Sequence, residues 1–165
     1  MAASEDFEQF YKATVGRLLG QLFLVTGDLH VAEEIVQEAF TRASMRWSQL
    51  RDYDVPEAWV RRVAMNLAVD RARRLRRQAR AILNLEPPPA VPAVSVETLA
   101  LVEALRALPV RQRQAIVLHY LADLPIQEIA QVLAVPSGTV KSLLARGRRG
   151  LAAKLGESEE VLYPS

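Results

Sequence analysis

Eight arginines fall between residues 61 and 80, with Asp70 as the one acid among them. Residues 141–155 add Lys141, Arg146, Arg148, Arg149 and Lys154 and contain no acid. Cationic groups at this density suit phosphate oxygens, which they can neutralise and hydrogen-bond together. The first 60 residues are the reverse, with 5 Lys/Arg against 10 Asp/Glu, a balance that suits a basic protein partner. The net charge of +2 therefore conceals two basic surfaces and one acidic surface. Covalent chemistry is not indicated. The absence of cysteine removes disulfides, thiolate metal sites and cysteine redox sensing. His30 and His119 lie far apart without flanking carboxylate clusters, and there is neither a Ser-His-Asp arrangement nor a tuned carboxylate pair. No catalysis, metal or cofactor is expected.

The stretch Pro125–Arg149, PIQEIAQVLAVPSGTVKSLLARGRR, carries the most specific spacing. Ile126, Ile129, Ala130 and Leu133 form one apolar stripe of helical period, and Val140, Leu143 and Leu144 form another. Ala134-Val135-Pro136 is long enough only for a sharp corner, and Ser137 is placed to cap the second helix. A helix-turn-helix has this layout, because its first helix braces the second in a DNA major groove. Small Ala130 allows close contact at the corner, and Thr139, Lys141, Ser142 and Arg146 are left facing outward. On spacing alone, a helical hairpin with a solvated basic face competes with DNA binding.

The rest of the chain predicts helices that position these groups. Ala, Leu, Arg, Glu and Gln favour helix, and there are no strand alternations, phosphate-type glycine loops or internal repeats. A first helix over about Glu5–Thr26 carries Phe7, Phe10, Tyr11, Leu18, Leu22 and Val25 inward. Gly27 ends it, and Asp28 caps a second over about Leu29–Gln49, whose Glu34, Gln37 and Glu38 turn outward. After a polar loop, Arg51–Val55, Pro56 opens a long helix to about Arg80. On it Trp59, Val63 and Leu67 share one side, while Arg62, Asn66, Arg73 and Arg77 share another. Trp59 reads equally well as a core anchor and as a pocket wall.

Four of the nine prolines fall in Asn84–Val94. Proline forbids helix there and stiffens the chain, giving a reach of about 34 Å at about 3.1 Å per residue, enough to hold two modules apart. The expected organisation is all-α: a helical domain over 1–83, a linker over 84–94, a helix-turn-helix domain over 95–156 and a frayed acidic tail over 157–165. Ser95 caps a helix to about Ala107, and Pro109 opens another to about Leu121. No apolar run approaches the roughly 20 residues of a membrane span, and the acidic N-terminus is not a signal peptide; the expected location is cytoplasmic.

On three blocks the chain closely resembles the extracytoplasmic-function (ECF, group 4) sigma factors of bacterial RNA polymerase. AEEIVQEAF (Ala32–Phe40) is similar to the family's helix that docks on core polymerase. PEAWVRRVAMNLAVDRARR (Pro56–Arg74) is similar to its −10-reading helix, with WxxxxAxNxxxDxxR intact. Leu108–Leu151 is similar to its −35-reading domain. The order, the spacing and the proline-rich connection make the combined resemblance more specific than any single block. It implies a sigma factor that binds core RNA polymerase and promoter DNA, and that an anti-sigma protein can hold. Glu34, Gln37 and Glu38 would meet a basic coiled coil of the largest polymerase subunit. Arg51, Asp52, Tyr53, Asp54 and Val55, with Trp59 and Asn66, would capture one extruded base of the non-template strand, and Arg62, Arg73 and Arg77 would hold the phosphates beside it. Ser137, Gly138, Thr139, Lys141, Ser142, Arg146 and Arg149 would serve the −35 groove, backbone N–H groups near Gly138-Thr139 taking a phosphate.

The chain departs from the family pattern at three places. Glu34 stands where Asp is usual. Ala134 replaces the common corner glycine, so the turn must avoid a positive φ or accept strain. Leu143 and Ala145 stand where Arg or an aromatic residue is frequent. A free-standing helix-turn-helix regulator is the main alternative, and an enzyme acting on nucleic acid is a third. The acidic docking helix argues against the former and the missing nucleophile and metal ligands against the latter.

Overall fold

The computed structural model describes residues 2–81 and 94–162. Among them lie eight helices: α1 (Ala2–Thr26), α2 (Leu29–Met45), α3 (Trp47–Leu50), α4 (Pro56–Ala81), α5 (Val96–Arg106), α6 (Val110–Tyr120), α7 (Ile126–Leu133) and α8 (Ser137–Leu162). The architecture is all-α. Apart from Val94, the proline-rich stretch lies outside the described residues.

The first corner forms as its residues dictate. Gly27 takes a left-handed φ of 71°, and Asp28 accepts the His30 and Val31 amides on Oδ1 at 2.9 and 3.3 Å, meeting donors the first turn of α2 leaves unsatisfied. Any Cβ at Gly27 would lie 2.5 Å from the Arg106 stem, so a close approach reinforces the requirement for glycine. The second helix does not run to Gln49. It stops at Met45, and Arg46 (φ −113°, ψ 14°) turns the chain into α3. Trp47 is the reason: its ring stacks on Phe10 at 5.1 Å and meets Phe7 edge-on at 5.4 Å, while Phe10 and Tyr11 both contact Phe40. An aromatic cluster of this kind stabilises beyond its area alone. A straight helix would carry Trp47 away from it.

In the second group Ser95 caps α5 as expected, accepting the Thr98 amide on Oγ at 3.2 Å. Helix α6 is the central element, with Gln114, Ala115, Ile116, Val117 and Leu118 all buried. Helix α8 makes close approaches at two glycines: a Cβ at Gly147 would lie 2.8 Å from Ile116 of α6, and one at Gly150 would lie 2.5 Å from Leu108 in the turn before α6. Close helix contact therefore accounts for two residues that by propensity only weaken α8. That helix also continues to Leu162, into the stretch expected to fray from residue 157, since nothing before Pro164 interrupts it.

The helix-turn-helix is present, with two differences of detail. Ser137 is the first residue inside α8, its hydroxyl makes no capping bond, and the Pro136 carbonyl accepts the Thr139 and Val140 amides at 3.0 and 3.2 Å. Ala134 accepts a left-handed conformation (φ 54°, ψ 48°), because the Val135 amide closes onto the Ala130 carbonyl at 3.1 Å and only a left-handed residue makes that turn. Ala134→Gly is therefore expected to stabilise by about 0.5–1 kcal/mol, the left-handed penalty of alanine less glycine's entropy loss. Thermal unfolding should register a rise of about 1–4 °C; an unchanged or lower midpoint would show that the corner is unstrained.

The two groups are not held apart. Helix α6 packs on α1 and α4, α7 packs on α4, and α5 packs on α1. The buried stretch Gln114–Leu118 of α6 needs more cover than α5, α7 and α8 supply, and α1 and α4 complete it.

Candidate nucleic-acid interface

At 100° per residue, Trp59, Arg62, Asn66, Arg73 and Arg77 occupy a sector of about 60° on α4. Val60, Ala64, Met65 and Ala68 are buried on the opposite side, so core packing alone turns the arginine face outward. Arg62, Asn66, Arg73 and Arg77 are exposed and make no hydrogen bond or ion pair among the described residues. Their neighbour Arg61 differs: it is 8% exposed, pairs with Glu57 at 3.2 Å and reaches Gln21 at 3.4 Å. Burial pushes its guanidinium below the ordinary range, and Glu57 and Glu128 oppose that shift. Arg61 is an internal brace of α4.

The loop ahead of α4 opens on a cleft of about 800 Å³ lined by Asp52, Tyr53, Asp54, Val55, Trp59 and Arg62 on one side. Leu124, Glu128, Gln131 and Val132, from α7 and the turn before it, form the other wall. Trp59 is both things its sequence position allowed, half-buried against the core and exposed to the cleft. Tyr53 and Val55 present 53% and 58% of their surface at the loop, apolar area available to a base. Arg51 and Asn66 do not line the cleft. Arg51 turns back to Asp6 on α1, Nη2 to Oδ2 at 2.7 Å, and braces the loop from behind. Asn66 stands two turns along α4 on the same face as Trp59.

On α8, Gly138, Thr139, Ser142, Arg146 and Arg149 share a sector of about 100°, while Lys141 lies about 60° outside it and Ser137, at the helix start, about 100° outside it. All seven are exposed, while Val140, Leu144 and Gly147 are buried opposite. The Thr139 amide is already taken by Pro136, which leaves the N–H groups of Ser137 and Gly138 at the helix start for an anion. Arg148 is distinct from its neighbours, donating from Nη1 to the Tyr120 hydroxyl at 3.0 Å and so clamping α8 to α6.

The acidic face of α2 is formed by exposed Glu34, Gln37 and Glu38. Glu38 holds Arg42 Nε at 2.9 Å; Glu34 faces His30 Nε2 at 3.4 Å and Arg71 Nη1 at 3.5 Å. These exposed pairs are weak and exchangeable. Sequence reasoning passed over three residues at the junction of the groups: Arg111, Arg113 and Gln114. Their signal was a polar run at the head of a buried helix. Gln114 Nε2 donates to the Met65 carbonyl at 2.8 Å, Arg113 Nη1 donates to the Val25 carbonyl, and Arg111 Nη1 donates to the Leu133 carbonyl at 3.2 Å. Burial is the main cause holding the Arg111 and Arg113 guanidiniums below their ordinary value, with Arg73 beside the first and Arg106 and Arg76 beside the second.

Comparison with known proteins matches residues 10–78 to Sigma-70 region 2 and residues 98–151 to Sigma-70 region 4. These are the two groups just described. The ECF RNA polymerase sigma factor SigW of Bacillus subtilis is 30% identical, the alignment covering 93% of this chain and 89% of that protein. SigM of Mycobacterium tuberculosis, also an ECF RNA polymerase sigma factor, is 32% identical over 91% and 77%. The sigma factor RpoE of Bartonella quintana, solved in complex with the anti-sigma factor NepR, has a TM-score of 0.76 at 20% identity, covering 92% of this chain and 98% of that one. The chain belongs to the ECF RNA polymerase sigma factors, and its function is promoter-specific transcription initiation.

Proposed function

We propose that the exposed face of α2 docks this chain on core RNA polymerase, that the loop at residues 51–55 with the outer face of α4 captures and opens the −10 element, and that the outer face of α8 reads the −35 element. One observation carries the division of labour. Arg62, Arg73, Arg77, Arg146 and Arg149 point outward and have no partner among the described residues, whereas Arg61, Arg111 and Arg113 are committed to internal carbonyl and carboxylate groups. Free arginines on two helices in different groups suit two separate stretches of phosphate. The polymerase supplies the catalysis. The protein acts in the cytoplasm, on the nucleoid. A cognate anti-sigma protein is a further proposed partner, supported by the complex in which the Bartonella protein was solved and by an apolar groove of about 350 Å³ between α1, α5, α6 and α8.

Purified protein added to sigma-free core polymerase tests this reading: promoter-specific transcripts are expected. Sequence-specific DNA binding without any gain of transcription would favour a free-standing regulator instead. The two basic faces separate experimentally. Arg73→Ala with Arg77→Ala should weaken binding whatever the promoter sequence and flatten its salt dependence by about one unit per lost phosphate contact. Arg146→Ala should act through the −35 element, and if a −35 substitution has the same effect on wild type and variant, Arg146 does not read it.

A further inference from the structure

The loop at residues 51–55 takes its shape from outside itself. All five residues are exposed, and the side chains of Asp52, Tyr53 and Asp54 make no hydrogen bond or ion pair among the described residues. Backbone bonds hold its margins: the Arg51 amide on the Trp47 carbonyl at 2.9 Å, the Tyr53 amide on Leu50 at 3.0 Å and the Ala58 amide on Val55 at 3.1 Å. A short segment with so few internal bonds samples many conformations unless its ends are fixed. Capture of a base in one geometry is stronger when the others are excluded beforehand.

Both ends are fixed by α1. Upstream, Arg51 Nη2 donates to Asp6 Oδ2 at 2.7 Å, next to the contacts of Phe7 and Phe10 with Trp47 that seat α3. Downstream, Arg17 Nη2 donates to Glu57 Oε2 at 2.9 Å, at the second residue of α4. Glu57 is shared. Its Oε1 accepts Arg61 Nη2 at 3.2 Å, and Arg61 Nε reaches back to Gln21 Oε1 at 3.4 Å. Helical spacing puts these groups on one side of α1: Asp6 and Arg17 differ by about 20° around the axis, and Gln21 lies about 40° further on. The two anchors stand about 16 Å apart along one helix, at about 1.5 Å per residue. Such pairs contribute little to stability where they are exposed, and buried Leu18, Leu22 and Val25 hold α1 without them. What they determine is where the loop stands relative to the outer face of α4. We infer that Asp6 and Arg17 are positioning residues for promoter opening, and that α1 is the mount holding the loop in its capturing shape before DNA arrives. The inference rests on residues 51–55 being the base-capturing loop.

Neither Asp6 nor Arg17 lines the cleft, so their effect on a captured base runs through the loop. With the full-length chain on core polymerase, Asp6→Asn combined with Arg17→Gln should slow promoter opening about tenfold, a loss of the order that a displaced positioning group causes. Closed-complex affinity, core affinity and the thermal midpoint should hold. Asp6→Glu and Arg17→Lys keep the charges and should retain most of the wild-type opening rate. Loss of the Asp6 charge by itself favours DNA, so slower opening in Asp6→Asn alone cannot come from weakened phosphate attraction. In the free protein, the double variant should raise hydrogen exchange at the Tyr53 and Ala58 amides severalfold while α2 stays protected. If the double variant opens promoters at the wild-type rate while a glycine-serine exchange of residues 51–55 impairs opening, the mount is overturned. A slowing that tracks the thermal midpoint, or that the Glu and Lys variants share in full, overturns it as well, since α1 then acts only as scaffold. Normal opening after the loop exchange, with amide exchange raised as expected, would instead refute the loop's role in base capture and leave the mount standing as a feature of the fold.

Discussion

Replacing Asn66 by Ala, or exchanging residues 51–55 for glycine and serine, is expected to leave core binding and −35 recognition at wild-type levels while open-complex formation falls by one to two orders of magnitude. One candidate cleft lies ahead of α4, and its only aromatic residues are Tyr53 and Trp59, which suits capture of a single extruded base more than stacking of several. Unstacking costs a few kcal/mol, so one tightly held base must offset it. The loop has the means. Asp52, Asp54 and the backbone can meet a base edge, and Tyr53 and Val55 can cover its face. Hydrogen bonds from the Tyr53 amide to Leu50 and from Arg51 to Asp6 hold the turn against α1 and α3. Asn66 lies beyond the cleft on the same face, where an amide that both donates and accepts can read the neighbouring nucleotide. A good bidentate base contact discriminates by about 1–3 kcal/mol, which sets the expected loss for Asn66→Ala; the loop exchange removes more. Permanganate or fluorescent-base reporting of melting at the −10 element is the measurement, with core affinity followed in parallel. Normal melting with an unchanged −10 preference in both variants would place the pocket elsewhere.

The second large effect concerns docking. Reversing Glu34 and Glu38 to Lys together should weaken association with core polymerase by about a hundredfold or more, since like charges brought together at an interface cost several kcal/mol. The fold itself should tolerate the change. Both carboxylates are about half exposed, with side-chain accessibilities of 52% and 51%, and surface pairs such as Glu38–Arg42 contribute about 0–1 kcal/mol. Glu34→Lys faces Arg71 across the α2–α4 contact, so circular dichroism and melting accompany the binding assay. The Gln pair at the same positions removes charge without reversing it and should lose less. Retained affinity at moderate salt in the Lys pair would show that the polymerase meets another face.

What could be read along the chain was whatever depends on neighbours within a few turns. The arginine face of α4 follows from placing apolar residues every three or four positions, because the polar ones then have one direction left. Gly27 and Asp28 mark their corner, Ser95 caps its helix, and the stripes either side of Ala134 define the helix-turn-helix, all through interactions spanning four residues or fewer. The rest depended on partners far away in sequence. Helix α2 ends early because Trp47 finds Phe7 and Phe10, about forty residues distant, and no local preference of Met45 or Arg46 announces it. That the Arg51 guanidinium turns back to Asp6, 45 residues away on α1, was likewise not legible from its neighbours. Ala134 takes a left-handed conformation that its own residue type disfavours, since the packing of α7 on α8 repays the strain. Gln114 shows the limit most plainly. A glutamine in a helix reads as a solvated residue, and it becomes a buried junction only when α6 meets the Met65 carbonyl of α4. Periodicity states which face of a helix avoids water, but which other face covers it is decided by shape and polar complementarity between segments that the order of residues leaves unpaired.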